Sequence, residues 1–221
     1  MKILLFVLAA ISAYLISGIN PAIILSKGIY HKDIRECGSG NPGFTNFKRS
    51  FGTKWAVVVM LLDLFKAMVP TLVFGLLLGN MYDLYQTGVT FTCFFAMIGH
   101  AYPIWYKFKG GKGFLVCLAS MWILDLRIGL IATLIMIVLL LITKYMSLST
   151  MVAMASCPVS LAIIGFENAL SLVFCILSVT FMVYRHKANI IRLYKGTESK
   201  FTFGKKKNSA DCTKNEKSSK G

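Results

Sequence analysis

A chain of 221 residues that is 56% hydrophobic and only 15% charged, with a mean hydropathy of +0.67, lacks the polar surface that a soluble domain of this size needs. Its net charge of +15, from 24 basic and 9 acidic residues, would suggest nucleic acid on a soluble protein. On so apolar a chain it points instead to basic loops retained on one side of a bilayer, and no nucleic-acid partner is expected.

The first apolar segment covers about residues 3–26. Met1-Lys2 and the apolar run to Ser17 look like a secretory signal peptide. The apolar character continues, however, through Ile19 and on to Ile23 and Leu25, long enough to span a bilayer at about 1.5 Å per residue. A retained first helix is the better reading. A polar stretch follows at 27–54. It holds Gly38-Ser39-Gly40-Asn41-Pro42-Gly43-Phe44-Thr45-Asn46-Phe47-Lys48-Arg49. Its glycines permit close backbone approach, and successive N–H groups can form a nest for an anion. Ser39, Asn41, Thr45 and Asn46 offer neutral hydrogen bonds, and Arg49 offers a bidentate fork suited to phosphate. The alternative is a flexible connecting loop.

The second segment, about 55–78, contains Asp63 and Lys66, three apart on one helical face. They are either an internally neutralised packing pair or functional groups within the membrane. Asp83 lies in a short loop before the third segment, about 87–105. This segment holds Gly99-His100-Ala101-Tyr102-Pro103 and leads to Lys107-Phe108-Lys109-Gly110-Gly111-Lys112-Gly113. A glycine-flanked lysine at a helix start suits phosphate, because backbone donors, helix dipole and ammonium act together. It is not a Walker A loop, since the first glycine is missing and no Ser or Thr follows Lys112. His100 is either a base or a packed core histidine.

A fourth, short segment covers about 114–124, and Asp125 and Arg127 mark a tight turn into a fifth at about 128–143. Lys144-Tyr145-Met146-Ser147-Leu148-Ser149 precede a sixth, about 150–164. Ser147 and Ser149 there are helix caps or site hydroxyls. Glu167 and Asn168 turn into a seventh, about 169–184. Beyond it, Arg185, Asn189 and Arg192 share a face at helical spacing, with His186 and Asn189 three apart. The last stretch, 201–221, is basic, rich in Lys, Ser and Asn, and expected to be disordered beyond about Lys205.

The expected fold is therefore all-α: a polytopic membrane domain over 1–200 with about seven transmembrane helices, some of them short. A five-span version folds the short segments back into the membrane. Either way, all but three of the 24 basic residues (Lys2, Lys66 and Arg127) fall in the loops and tail of one side. That bias places the N-terminus outside and the C-terminus in the cytoplasm. Cys37, Cys93, Cys117, Cys157, Cys175 and Cys212 form no C-x-x-C pair, and four lie in apolar runs, so all six are read as reduced and structural. No Ser-His-Asp trio, H-E-x-x-H pair or H-x-x-x-x-D motif is visible, which argues against an acyl-enzyme and against a catalytic metal or other cofactor. What remains is a polyanion site at a bilayer surface.

These residues together resemble the bacterial acyl-phosphate:glycerol-3-phosphate acyltransferases, the PlsY family, from about Ser17 to Glu198. Asp33-Ile34-Arg35 with the GSGN-x-G-x-T-N-x-x-R run that ends at Arg49 is similar to the family's first cytoplasmic motif. Asp63-x-x-Lys66 is similar to its D-x-x-K-G pair. Gly99-His100-x-x-Pro103 through Gly113 resembles the second motif, and Tyr145-x-Ser147-Leu148 the third. Arg185-His186-Lys187-x-Asn189-Ile190-x-Arg192-Leu193-x-x-Gly196-x-Glu198 resembles the C-terminal signature.

The resemblance implies transfer of a fatty acyl group from acyl phosphate to the 1-hydroxyl of glycerol 3-phosphate, at the cytoplasmic face of the inner (plasma) membrane, without acyl-CoA or metal. It implies catalytic roles for Ser39, Arg49, Lys112, His186 and Asn189. Substrate-binding roles would fall to Gly38, Gly40, Asn41, Thr45, Asn46, His100, Gly110, Gly111, Gly113, Ser147 and Ser149. Partners would be the two substrates and membrane lipids; a monomer is one option, since the sequence leaves oligomeric state open. Phe44 stands where the family usually has alanine, Phe114-Leu115-Val116 replace the usual V-A-T, and Ala67 replaces a glycine, changes expected to crowd the site. The rival class is a small transporter for an anionic metabolite, which would suit Asp63 and Lys66.

Overall fold

The computed structural model of the protein describes residues 1–202 and Cys212, so the disorder expected beyond about Lys205 lies, that cysteine apart, outside the described residues. Every regular element among them is helical: α1 (Lys2–Gly18), α2 (Pro21–Tyr30), α3 (Phe44–Phe51), α4 (Thr53–Tyr82), α5 (Tyr85–Ala101), α6 (Phe114–Leu124), α7 (Leu126–Thr143), α8 (Met146–Ile164), α9 (Ala169–Arg185) and α10 (Lys187–Tyr194). Short 3₁₀ turns occupy Ile34–Glu36 and Ile104–Tyr106. Four stretches are long and apolar enough to cross a membrane: Lys2–Tyr30, α4, α7 and α8. A fifth is added if α9 and α10, bent by 57° at their junction, make one crossing. Helices α5 and α6, with 17 and 11 residues, are shorter.

The chain divides into two compact units. The larger comprises Met1–Ile19 and Leu64–Phe201. In it α1 packs on α5, α5 on α6 and α9, α7 on α6 and α8, and α8 on α9. The core among these helices is filled by Met97, Val116, Met121, Ile128, Met154, Leu161 and Met182, with small residues such as Ala13, Ala96 and Ala153 between them. The outer faces are apolar as well: Leu134, Leu141 and Ile142 on α7 and Ile163 on α8 are exposed. That is the pattern of a bundle whose solvent is lipid, where helix contact rests on close packing by small residues rather than on exclusion of water.

Polar groups punctuate the ends. No side chain caps α5 from its own N-cap residue, Leu84. Instead Glu167, from the α8–α9 connection, accepts the Tyr85 N–H at 2.9 Å and the Thr87 N–H at 3.2 Å. Gln86 returns the bond by accepting the Glu167 N–H at 2.7 Å. A carboxylate there meets the free donors and the positive end of the helix dipole. Asp125 caps α7 through the Arg127 N–H, and Asn168 caps α9 through the N–H groups of Leu170 and Ser171. The tight turns expected at both places are thus helix starts.

The smaller unit comprises Asn20–Asp63 and Thr202–Gly221. Here the first apolar segment departs from one continuous helix. It breaks after Gly18, and Asn20 caps α2 by accepting the Ile23 N–H at 3.0 Å, with Pro21 at the first helical position. Proline fits there because its missing N–H has no intrahelical partner to lose. The reading of all six cysteines as reduced is corrected: Cys37 and Cys212 form a disulfide, while Cys93, Cys117, Cys157 and Cys175 are buried free thiols. Spacing could not reveal a pair separated by 175 positions.

Two boundaries also move. The third segment ends as helix at Ala101, and the sixth begins at Met146, so Ser147 and Ser149 lie in the first turn of α8 rather than before it.

Candidate active site

In the larger unit, the chain leaves α5 at Ala101, makes the 3₁₀ turn and returns, so that Gly110 and Gly111 lie back against the end of the same helix. The Gly110 N–H donates to the Ala101 carbonyl at 3.1 Å and the Gly111 N–H to the His100 carbonyl at 3.0 Å. Their carbonyls face the other way and accept from Arg185, at 3.4 Å for Gly110 and 3.0 Å for Gly111. The Arg185 guanidinium also lies 4.7 Å from the centre of the Tyr102 ring, a cation–π contact that helps aim it. Gly113 then caps α6.

Lys112, held in this way, donates from Nζ to Asn189 Oδ1 at 2.5 Å. The amide of Asn189 is oriented from its other end: Nδ2 donates to Glu198 Oε1 at 2.6 Å. Glu198 also accepts from Ser147 Oγ at 2.7 Å and, through Oε2, from Arg192 Nε at 2.7 Å. Burial works against the charge of Glu198, and the bonds from Ser147, Asn189 and Arg192 overcome it, so its carboxyl lies below its ordinary value. His186 sits at the bend between α9 and α10, 4% exposed, and its Nδ1–H donates to the Met182 carbonyl at 2.9 Å. The remaining nitrogen, Nε2, therefore carries the lone pair in the neutral ring. Lys112, Ser147 and Asn189 are joined through Glu198, and His186 lies close enough for the charges of Lys112 and Glu198 to act on its ring.

Sequence spacing misjudged one feature of this cluster. Arg185, Asn189 and Arg192 do not share a helix face, because the helix breaks at His186. Arg185 turns to the Gly110-Gly111 carbonyls, whereas Asn189 and Arg192 turn to Glu198. Ser149 is also apart: its hydroxyl donates to the Tyr145 carbonyl one turn back, at 2.9 Å. The structuring role of Glu198 was missed, although a sequence signal existed. It is the one acid in the basic stretch from Arg185 to Ala210.

The smaller unit holds the glycine-rich loop. Asn46, 2% exposed, braces it: Oδ1 accepts the Ser39 N–H at 3.0 Å, and Nδ2 donates to the Cys37 carbonyl at 2.9 Å. Gly38 and Gly40 have φ of +54° and +69°, a left-handed backbone that other residues adopt at a cost. Asp33 caps the preceding turn. The Arg35 guanidinium, bonded to it at 2.6 Å, holds its carboxyl well below the usual carboxylate range against the opposing effect of burial.

Asn41 is half-buried and its carbonyl accepts the Gly43 N–H at 3.0 Å; Thr45 is half-buried in the first turn of α3. The side chains of Ser39 and Arg49 are exposed, and Arg49 has no hydrogen-bonding or ionic partner among the described residues. The loop is built by Gly38, Gly40 and Asn46 and displays Ser39, while Arg49 is displayed from the last turn of α3. Of the departures expected to crowd the site, Ala67 and Val116 lie wholly buried in the bundle core, and Phe44 and Phe114 are half-buried at the starts of α3 and α6.

A helical bundle with an apolar exterior, several of whose helices are long and apolar enough to cross a membrane, defines a multi-pass membrane protein. A family model described as Glycerol-3-phosphate acyltransferase matches residues 7–196. The glycerol-3-phosphate acyltransferase of Thermoanaerobacter pseudethanolicus is 37% identical over 194 residues, covering 88% of this chain and 94% of that protein. That of Paraburkholderia phytofirmans is 32% identical over 203 residues, covering 92% and 94%. The crystal structure of PlsY (YgiH), an integral membrane glycerol 3-phosphate acyltransferase in its glycerol 3-phosphate form, matches with a TM-score of 0.82 and 31% identity, over 89% of this chain and 96% of that one. Its lysophosphatidic acid form matches with a TM-score of 0.78 and 28% identity, over 94% and 98%. This chain belongs to the glycerol-3-phosphate acyltransferase family.

Proposed function

We propose that the protein transfers a fatty acyl group from acyl phosphate to the 1-hydroxyl of sn-glycerol 3-phosphate, releasing lysophosphatidate and phosphate. The observation that supports it most is the Lys112–Asn189–Glu198 chain of hydrogen bonds, assembled from two separate motifs of a chain that matches this family along most of its length. The transporter alternative finds no support in the family or in either solved relative.

In the proposed reaction the acceptor hydroxyl oxygen attacks the acyl carbon, the bond from that carbon to the phosphate oxygen breaks, and the phosphate leaves. The hydroxyl proton passes to a phosphate oxygen of the substrates. The donor is already activated, so the protein needs mainly to position the reactants and balance their charge. In the larger unit Lys112, His186 and Asn189, with the N–H of Gly113, would bind phosphate oxygens; in the smaller unit Ser39, Arg49 and the N–H of Gly38 would do so, while the Gly40 N–H is taken by the Cys37 carbonyl at 2.9 Å. Thr45 and Asn41 would line the loop, and Ser147 and Ser149 the donor side. The acyl chain would lie among the apolar helices. We place the site at the cytoplasmic face of the inner membrane, with seven crossings counting α5 and α6, the N-terminus outside and the C-terminus inside, from the bias of basic residues.

Purified protein in detergent, given glycerol 3-phosphate and palmitoyl phosphate, should form lysophosphatidate without CoA or divalent metal. Lys112→Ala and Arg49→Ala should each lower kcat/KM by about a hundredfold or more. Product formed only from acyl-CoA, or unchanged turnover in both variants, would defeat the proposal. Side-specific labelling of cysteines placed at Ser39 and at Lys112 checks the orientation, and labelling from opposite sides would refute it.

A further inference from the structure

Lys66 projects from α4, an apolar crossing helix, where an ammonium is costly unless it is fully engaged. Its Nζ donates to the Ile19 carbonyl at 2.8 Å and meets His100 Nδ1 at 3.0 Å. An ammonium has three donors and no lone pair, so the Nδ1 it faces must be an acceptor. The proton of the neutral imidazole is thereby fixed on Nε2. That second nitrogen lies against Gly111, so closely that a Cβ added at Gly111 would fall on it. The His100 carbonyl meanwhile accepts the Gly111 N–H. His100 thus meets the residue that precedes Lys112 twice: its backbone carbonyl holds the Gly111 N–H, and its ring, buried to 5% exposure, packs where only a glycine fits.

We infer that Lys66 and His100 are positioning residues for the acyl transfer: Lys66 locks His100 as its neutral Nε2–H tautomer, and His100 fixes Gly111 so that Lys112 meets the phosphate. The inference rests on the reaction proposed above and assigns His100 a different part in it. Bonded to Lys66 at Nδ1 and packed against Gly111, the ring acts through the loop. It also gives Lys66, in the membrane-embedded motif, a role in catalysis. Arg185 completes the arrangement by holding the Gly110 and Gly111 carbonyls from the opposite side. A loop gripped on both edges has little freedom to move its lysine, and displacing a substrate-binding group by about 1 Å costs on the order of a hundredfold in rate.

Two readouts test this on the full chain in detergent. The sequence has 3 histidines, so ¹⁵N-histidine labelling, with His100→Asn to assign the resonances, reads the tautomer directly. The parent should show His100 protonated at Nε2 alone across the neutral pH range. Lys66→Met should give a mixture of tautomers or an imidazolium. It should also lower kcat/KM by on the order of tenfold to a hundredfold, in the same kinetic parameter that Lys112→Ala changes, with an unaltered thermal unfolding midpoint. A parent His100 protonated at Nδ1, or a folded Lys66→Met protein within twofold of parent activity, would overturn the inference. If Lys66→Met does not fold, the parent spectrum and the kinetics of His100→Asn still decide: parent-like turnover in that variant is refuting. A parent that makes no lysophosphatidate defeats the reaction instead, a result distinct from an active parent with an indifferent Lys66.

Discussion

Glu198 shows how one carboxylate can organise a site without being placed against substrate. Its oxygens take hydrogen bonds from Ser147, Asn189 and Arg192, and through Asn189 it sets the direction in which the amide oxygen meets Lys112. Glu198→Gln keeps the size but replaces one acceptor oxygen by a donor, which must then face Asn189 and Ser147 or Arg192. The expected result is a loss of about 1.5–3 kcal/mol, the range for hydrogen bonds to a charged group, read as a lower unfolding midpoint together with reduced kcat. The pH dependence has a fixed sign. Because the folded carboxyl lies below its ordinary value of 4.5, its stabilising contribution is complete above that value and is lost as pH falls through the lower, folded one. An acid titration of unfolding should therefore lose more stability below about pH 4.5 in the parent than in Glu198→Gln, whose remaining limb comes from carboxylates such as Asp33. Lys112 stands out in the sequence because a glycine-flanked cation at a helix start suits phosphate, and His186 through the C-terminal signature; the structure brings both near Asn189. Glu198 does not stand out, because an acid in a basic tail reads first as a surface ion pair, and its three donors come from separate places in the chain.

At the scale of elements, helix existence was readable and helix ends were less so. Apolar runs gave α4, α7, α8 and α9 nearly complete, because every backbone polar group in lipid must be bonded within a helix. Three ends were moved by polar contacts that hydropathy does not register. Asn20 and Pro21 start a new helix inside an apolar run, α8 absorbs Ser147 and Ser149, and His186 marks a 57° bend where helical spacing would have continued. The N-terminus of α5 depends on a residue 82 positions away, Glu167, for its cap. Glu167→Ala should lower stability by about 1 kcal/mol, measurable as a shift of the unfolding midpoint, with kcat/KM retained because the cap lies in no part of the Lys112 cluster. In the glycine loop, Gly40→Ala forces a residue at φ +69° and brings its Cβ to 3.1 Å from the Arg35 carbonyl. A penalty of about 1–2 kcal/mol is expected there, with weaker binding of the phosphate substrates as its kinetic sign. The glycines announced a special backbone in the sequence, but Asn46, which reads as a substrate ligand, proves to be the brace that holds it.

For the whole molecule, the two units differ in what holds them. The larger is tied by helix packing around a methionine-rich core, and the smaller by hydrogen bonds and the bond between Cys37 and Cys212. In a reducing compartment those two sulfurs stand as thiols. Alkylation of folded, oxidised protein should therefore be negligible and should rise by two groups on mild reduction, leaving Cys93, Cys117, Cys157 and Cys175 to react only on unfolding. Labelling of any of these four before Cys37 and Cys212 would contradict this placement. The contact across the smaller unit does not depend on the bond alone, since Lys48 Nζ donates to the Thr202 carbonyl at 3.0 Å.

That return of the chain imposes a parity. Residues 37 and 212, like 48 and 202, must lie in the same aqueous compartment, so the polypeptide traverses the bilayer an even number of times between them. Helices α4, α7 and α8 alone would make three passages and leave the partners stranded on opposite shores. Counting α9 with α10 makes four, and admitting both α5 and α6 makes six, while admitting only one of those two is forbidden.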